Sequence, residues 1–192
     1  AEMYAQAYEE DPDAKHKWSE FRVLGRGGKH DEAADVALAA QKAHGASREW
    51  RRKHEYVGQT MLLAGRYPEA VVQFDTVAAR GGWTGRRNRF FAGFASLMAG
   101  DAEGAVERFT ALIEADRSYL DGSRYWRAKA YDLLEKPDLA EADRAWLHAE
   151  AQGSWYTIWL GQHDEGLPTV APLARSGAWV GSRPVETGPH PD

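Results

Sequence analysis

The sequence contains no cysteine. That excludes disulfides, thiol nucleophiles and thiolate metal sites, while leaving the compartment open. No apolar run approaches the ~20 residues that a helix needs to cross a bilayer. The opening Ala1-Glu2-Met3-Tyr4 lacks the basic-then-apolar order of a signal peptide. Ala1 in place of an initiator methionine is what a processed or excised chain shows, so an address removed earlier is compatible with this sequence. An excess of positive charge is also missing. With 24 Lys and Arg against 29 Asp and Glu, the net charge is −5. A nucleic-acid binder normally carries a basic footprint, so the chain as a whole is not expected to bind nucleic acid.

What is present suits a protein with a packed core. The 192 residues are 43% hydrophobic and 28% charged, enough for one domain or a short solenoid. One pattern recurs: a glycine, a short spacer, an alanine, and an aromatic four residues on. Gly65-Arg66-Tyr67-Pro68-Glu69-Ala70 leads to Phe74, and Gly100-Asp101-Ala102-Glu103-Gly104-Ala105 leads to Phe109. Gly28-Lys29-His30-Asp31-Glu32-Ala33 opens in the same way but meets small residues afterwards. Ala70 and Ala105 are 35 residues apart, as are Gly58 and Gly93, and one more step lands on Ala128. In the last unit Ala142 and Trp146 replace the Ala–Phe pair.

This spacing predicts antiparallel helical hairpins. Gly58 against Ala70, and Gly93 against Ala105, are expected to let the two helices of a hairpin approach closely. Phe74 and Phe109 lie one turn beyond the alanine on the same face, placed to fill the space between hairpins. Gly65 and Gly100 suit a left-handed helix end. Helices are expected near 13–25, 30–44, 48–64, 67–80, 84–99, 102–115, 121–135, 138–152 and 154–163, and residues 1–11 read as the second helix of a preceding hairpin. Pro68 suits a helix start, and Pro137 marks a loop. Residues 1–163 thus form an all-α repeat domain of about four hairpins. Residues 164–192, in which Gly166 to Asp192 holds five prolines and four glycines, form an irregular tail. Trp179 and Val180 are its candidates for docking on the helices.

The period and the placing of small and aromatic residues resemble the tetratricopeptide repeat, which is about 34 residues long. A finer resemblance covers roughly residues 84–163. Phe90-Phe91-Ala92-Gly93-Phe94-Ala95 is followed by Ser123-Arg124-Tyr125-Trp126-Arg127-Ala128-Lys129-Ala130, and then by Gly153-Ser154-Trp155-Tyr156-Thr157-Ile158-Trp159-Leu160. This order resembles the superhelical, non-catalytic region of soluble lytic murein transglycosylases. The resemblance implies a ring or horseshoe of hairpins joined to a lysozyme-like domain that acts on peptidoglycan in the periplasm. The Glu-Ser dipeptide that carries the catalytic glutamate of that family is absent, since no glutamate here precedes a serine, and so is its Gly-Leu-Met-Gln stretch.

Other chemistry is sparse. The histidines His16, His30, His44, His54, His148, His163 and His190 include no pair at the three- or four-residue spacing of a helical metal site. His163-Asp164-Glu165 reads as a solvated helix end, and Glu9-Glu10-Asp11 and Asp138 with Glu141 as exposed helix faces. Gly25-Arg26-Gly27-Gly28-Lys29 lacks the order and the preceding strand of a phosphate loop. No catalytic residue, metal site or cofactor is expected.

The basic clusters are Arg48, Arg51, Arg52, Lys53 and His54, then Arg86, Arg87 and Arg89, then Arg124 and Arg127. Arg52 aligns with Arg87 across one repeat, and His54, Arg89 and Arg124 align across two. Equivalent positions in a solenoid form a stripe. Arg52, Arg87, Arg89 and Arg124 are therefore candidates for an anion-accepting surface, and the plainer alternative is arginine faces satisfied by neighbouring Asp and Glu. Trp126, Tyr131 and Trp146 read as core. Trp83, Trp155 and Trp159 lie at hairpin junctions, and Trp155 with Tyr156 form a candidate binding pair. Two functions fit. One is a non-catalytic scaffold of a lytic transglycosylase-like protein, periplasmic and associated with peptidoglycan. The other is a free-standing tetratricopeptide adaptor, cytoplasmic, that binds a protein partner in its groove. An enzyme using unrecognised residues is a third.

Overall fold

A computed structural model describes residues 1–47, 50, 52–115 and 119–163. Among them are ten α-helices and no strand: α1 (Glu2–Glu10), α2 (Ala14–Arg26), α3 (His30–His44), α4 (His54–Leu63), α5 (Tyr67–Ala78), α6 (Gly82–Met98), α7 (Ala102–Ala115), α8 (Leu120–Leu133), α9 (Pro137–Glu150) and α10 (Trp155–His163). The expected all-α class is observed. The tail 164–192, and with it Trp179, Val180, Asp164 and Glu165, lies outside the described residues, as do Arg48 and Arg51.

Local chemistry sets the helix ends. The Asp13 carboxylate caps α2 by accepting the Lys15 N–H at 2.8 Å, and this bond holds the Asp13 pKa below its ordinary value. Gly65 and Gly100 take φ of 73° and 86°, the left-handed conformation expected of them. Beside them Arg66 N–H donates to Met61 O at 2.8 Å and Asp101 N–H to Ser96 O at 2.9 Å. The same turn recurs one repeat later, where Lys136 N–H donates to Tyr131 O at 2.9 Å and Glu135, at φ 55°, stands where the others have glycine.

Three local expectations are corrected. Pro137 is the first residue of α9 rather than a loop marker, because a helix leaves its first N–H groups unpaired and proline has none to lose. The helix expected from residue 48 begins at His54. Trp50 lies in the preceding turn, fully buried, and its indole N–H donates to the Ala14 carbonyl at 3.2 Å. The nearest neighbour of Gly58 is the Phe74 ring rather than Ala70, and Gly93 likewise meets Phe109.

Helices α1 to α9 each pack mainly on those before and after them in sequence, and α10 packs on both α8 and α9. One apolar cluster runs from Phe21 and Leu24 through Ala33, Ala37 and Trp50 to Met61 and Phe74. A second gathers Phe90, Leu97, Phe109 and Leu112, and a third joins Tyr125, Leu147 and Leu160. Phe74 stacks on Phe91 of α6 with centroids 5.5 Å apart, so the ring that fits over Gly58 also reaches the next hairpin.

Candidate functional site

Helices α2 and α4 face each other across a groove of about 510 Å³, within the size range of ligand sites. On α2 its wall is Trp18, Phe21, Arg22, Gly25 and Arg26, residues that recur at helical spacing on one face. On α4 it is Tyr56, Gln59, Thr60 and Leu63, and Lys53 and His30 line the rest. Tyr56 and Leu63 are 56% and 66% exposed. Trp18 meets Tyr56 at 6.0 Å and stacks on Phe21 at 5.1 Å, while Lys53 Nζ lies 4.5 Å from the Trp18 ring centroid. The His30 Nδ1 is buried with no hydrogen-bond partner among the described residues. Among the described residues no carboxylate lines this groove.

The positions singled out in the sequence are dispersed. Arg52 is exposed and directly precedes the groove residue Lys53. Arg87 donates to the Glu55 carboxylate of α4. Arg89 is half-buried on α6 and forms no ion pair among the described residues. Arg124 donates to Asp143 at 2.7 Å and lies 4.4 Å over the Trp146 ring.

A hidden rule of the repeat separates these arginines. Position 19 residues further on, in the second helix, decides the partner. Arg124 finds Asp143 there and His54 finds Gln73 at 2.8 Å. Arg89 has Arg108 at that position, and Arg108 turns instead to Asp75 at 2.7 Å. The Asp75 bond and charge raise the Arg108 pKa against the opposing effect of burial.

Asp143, 2% exposed, takes two arginines, Arg124 and Arg127. Arg127 clasps it with Nε and Nη2, both at 2.8 Å, and donates Nη1 to Thr110 at 2.9 Å. Burial opposes the charge on Arg127, but the bonds and attraction from Asp143 outweigh it and raise the pKa. The cluster is structural in form: it ties α7, α8 and α9 together.

The aromatic pair divides. Trp155 is 68% exposed. Tyr156 is half-buried 5.3 Å from Tyr125, and a Cβ at Gly122 would meet its ring at 2.9 Å. Burial raises the Tyr156 pKa, and a hydrogen bond with Trp126 offsets this only in part. Trp159 stacks on Tyr125 at 5.6 Å. Trp83, 57% exposed, packs 5.5 Å from Tyr119. These aromatics therefore offer two open rings, Trp83 and Trp155, and bury the rest at least partly.

Among the described residues no group of three or more His, Asp or Glu is placed to hold a metal ion, and no helix is long and apolar enough to cross a membrane. The groove was missed in the sequence because Arg22 and Arg26 have no charged equivalent one repeat on. Their own spacing of four residues, on one helical face and without an acidic neighbour on that face, was the available signal. No protein-family model and no curated protein matches this chain.

Proposed function

We propose that this chain is a non-catalytic helical-repeat scaffold, a tetratricopeptide-like solenoid that holds a protein partner in the groove between α2 and α4. The observation that carries this reading is the lining of that groove. Exposed Tyr56 and Leu63 supply apolar surface, and Arg22, Arg26 and Lys53 supply side-chain donors that form no ion pair among the described residues. That mixture of aromatic, aliphatic and guanidinium groups resembles the composition of protein-binding surfaces. The solenoid arrangement is supported by the Gly58–Phe74 and Gly93–Phe109 contacts and by the turns at Gly65, Gly100 and Glu135, each one repeat apart.

Panning a random peptide library displayed on phage against the protein tests this reading. Enriched sequences are expected to bind the wild-type chain and to be lost in Tyr56→Ala with Leu63→Asp. If no sequence is enriched, or the enriched ones bind the variant equally well, the groove is not a partner site.

The second reading, a scaffold beside a peptidoglycan-cleaving domain, is favoured by the exposed Trp155, an open ring of the kind on which sugars stack. Under it the chain is periplasmic. Cosedimentation with purified peptidoglycan that Trp155→Ala abolishes would support it. Release of anhydro-muropeptides by this chain alone would instead make it an enzyme.

A further inference from the structure

The groove between α2 and α4 holds cations that form no ion pair among the described residues. Arg22 and Arg26 are exposed one turn apart on α2, and neither forms an ion pair among the described residues. Like charges four residues apart on a helix destabilise it. Lys53 contributes a third charge, held over Trp18 at 4.5 Å. Four other arginines show the reverse: Arg66, Arg108, Arg124 and Arg127 are all bound to Asp at 2.6 to 2.8 Å. With a net charge of −5, the chain has carboxylates in excess, yet among the described residues none lines the groove.

We infer that the groove takes an extended acidic peptide segment with carboxylates at alternate positions, one on Arg22 and the next on Arg26. The inference rests on the reading of the chain as a partner-binding scaffold and names the partner's chemistry. The spacing fits. Four residues of α-helix rise about 6 Å, and two residues of extended chain advance about 6.6 Å with both side chains on one face. Each guanidinium presents a planar fork that matches a carboxylate. Lys53 adds to the positive potential from the opposite wall, and the exposed Tyr56 and Leu63 receive an apolar side chain of the same segment. A single-stranded nucleic acid fits less well. Successive bases need successive open aromatic faces, whereas Trp18 is already engaged by Phe21, Trp50 and Lys53, leaving Tyr56 as a single exposed ring in the lining.

The test uses the full chain and a fluorescein-labelled octapeptide with Asp at alternate positions and Leu at one end, read by fluorescence polarisation. Its counterpart carries Asn in place of Asp. The Asp peptide is expected to bind at least tenfold more tightly than the Asn peptide, with affinity falling as salt rises. Arg22→Gln with Arg26→Gln is expected to weaken it at least tenfold while thermal unfolding stays unchanged. Because both arginines are exposed, the Gln variant keeps the fold. Equal binding of the two peptides, lost together in Tyr56→Ala, ends the acidic-segment inference but leaves the scaffold reading in place. Binding of neither peptide also ends the inference, and the scaffold reading then stands or falls on the library panning. Displacement by oligothymidylate as effective as by unlabelled peptide overturns the inference in favour of a general polyanion site.

Discussion

Phe74 lies so close over Gly58 that a Cβ on the glycine would stand 2.8 Å from the ring's Cε1. One repeat later Phe109 stands over Gly93 in the same way, at 2.9 Å. Both rings are fully buried. The glycine is there to admit the ring. Phe74 also stacks on Phe91 of the following hairpin, whereas Phe109 meets Phe90 of its own hairpin at 5.9 Å. At Gly58 one ring thus sets the spacing within a hairpin and touches the next.

Gly58→Ala is expected to destabilise the protein. Overpacking a filled core costs about 1–3 kcal/mol, and the better helix propensity of alanine returns about 0.8–1 kcal/mol. A net loss of about 1 kcal/mol should appear as a lower urea midpoint, and Gly93→Ala should behave alike. Gly25→Ala is the control, since its Cβ would meet nothing within 4 Å. Its stability should hold or rise. Equal behaviour of all three variants would show that the rings do not press on the glycines.

Much of the fold was legible because the hairpin turns have a strong local chemistry. The end of α7 and both ends of α3 fall where the glycine and alanine pattern placed them, at Ala115, His30 and His44. The start of α4 was not legible. Trp50 looks helical in isolation, and its burial with a hydrogen bond to Ala14, 36 residues away, accounts for the turn at that residue. The arginine stripe illustrates the same limit. Aligning His54, Arg89 and Arg124 identifies equivalent positions, but their environments are set by Gln73, Arg108 and Asp143 on the facing helix. The groove joins positions one repeat apart, Trp18 with Lys53, Phe21 with Tyr56 and Gly25 with Thr60, but Arg22 and Arg26 have no charged equivalent on α4, so its charge depends on residues outside the repeat pattern.

Glu135→Gly is expected to stabilise the protein. Glu135 holds φ 55° at the turn where Gly65 and Gly100 serve in the earlier repeats. A left-handed conformation costs an L-residue roughly 1–2 kcal/mol, while glycine adds back about 0.5–1 kcal/mol through the freedom of the unfolded chain. The net gain should be about 0.5–1 kcal/mol, read as a higher urea midpoint with unchanged slope. A loss of stability would mean that the Glu135 side chain makes a contact worth more than the strain.

Asp143→Ala is expected to be among the most damaging single changes. It leaves Arg124 and Arg127, with side chains only 21% and 14% exposed, without their carboxylate. Removing one partner of a buried pair costs about 3–5 kcal/mol. The partial exposure of the arginines places the expected loss at the lower end, about 3 kcal/mol. A double-mutant cycle with Arg127→Met separates the pair from general packing. The double variant should lose less than the sum of the singles by at least about 1 kcal/mol. Strict additivity would mean that Arg127 gains nothing from Asp143.

Tyr156 gives a prediction in pH. Burial raises its pKa above the ordinary 10.0 in the folded protein. Below the unfolded value both states keep the phenol proton, and the group contributes no pH dependence. Above it the unfolded chain ionises first, so the folded state binds more protons and stability falls as pH rises toward the folded pKa. Tyr156→Phe has no proton to lose. Any cost of removing the hydroxyl itself is constant near neutral pH. The stability advantage of the wild type over Tyr156→Phe should therefore be flat from about pH 8 to about pH 9.5 and shrink above pH 10. Urea unfolding of both proteins across that range measures it. An advantage that grows with pH would place the Tyr156 phenolate in surroundings that favour its charge, and the close packing on Gly122 and Tyr125 argues against this.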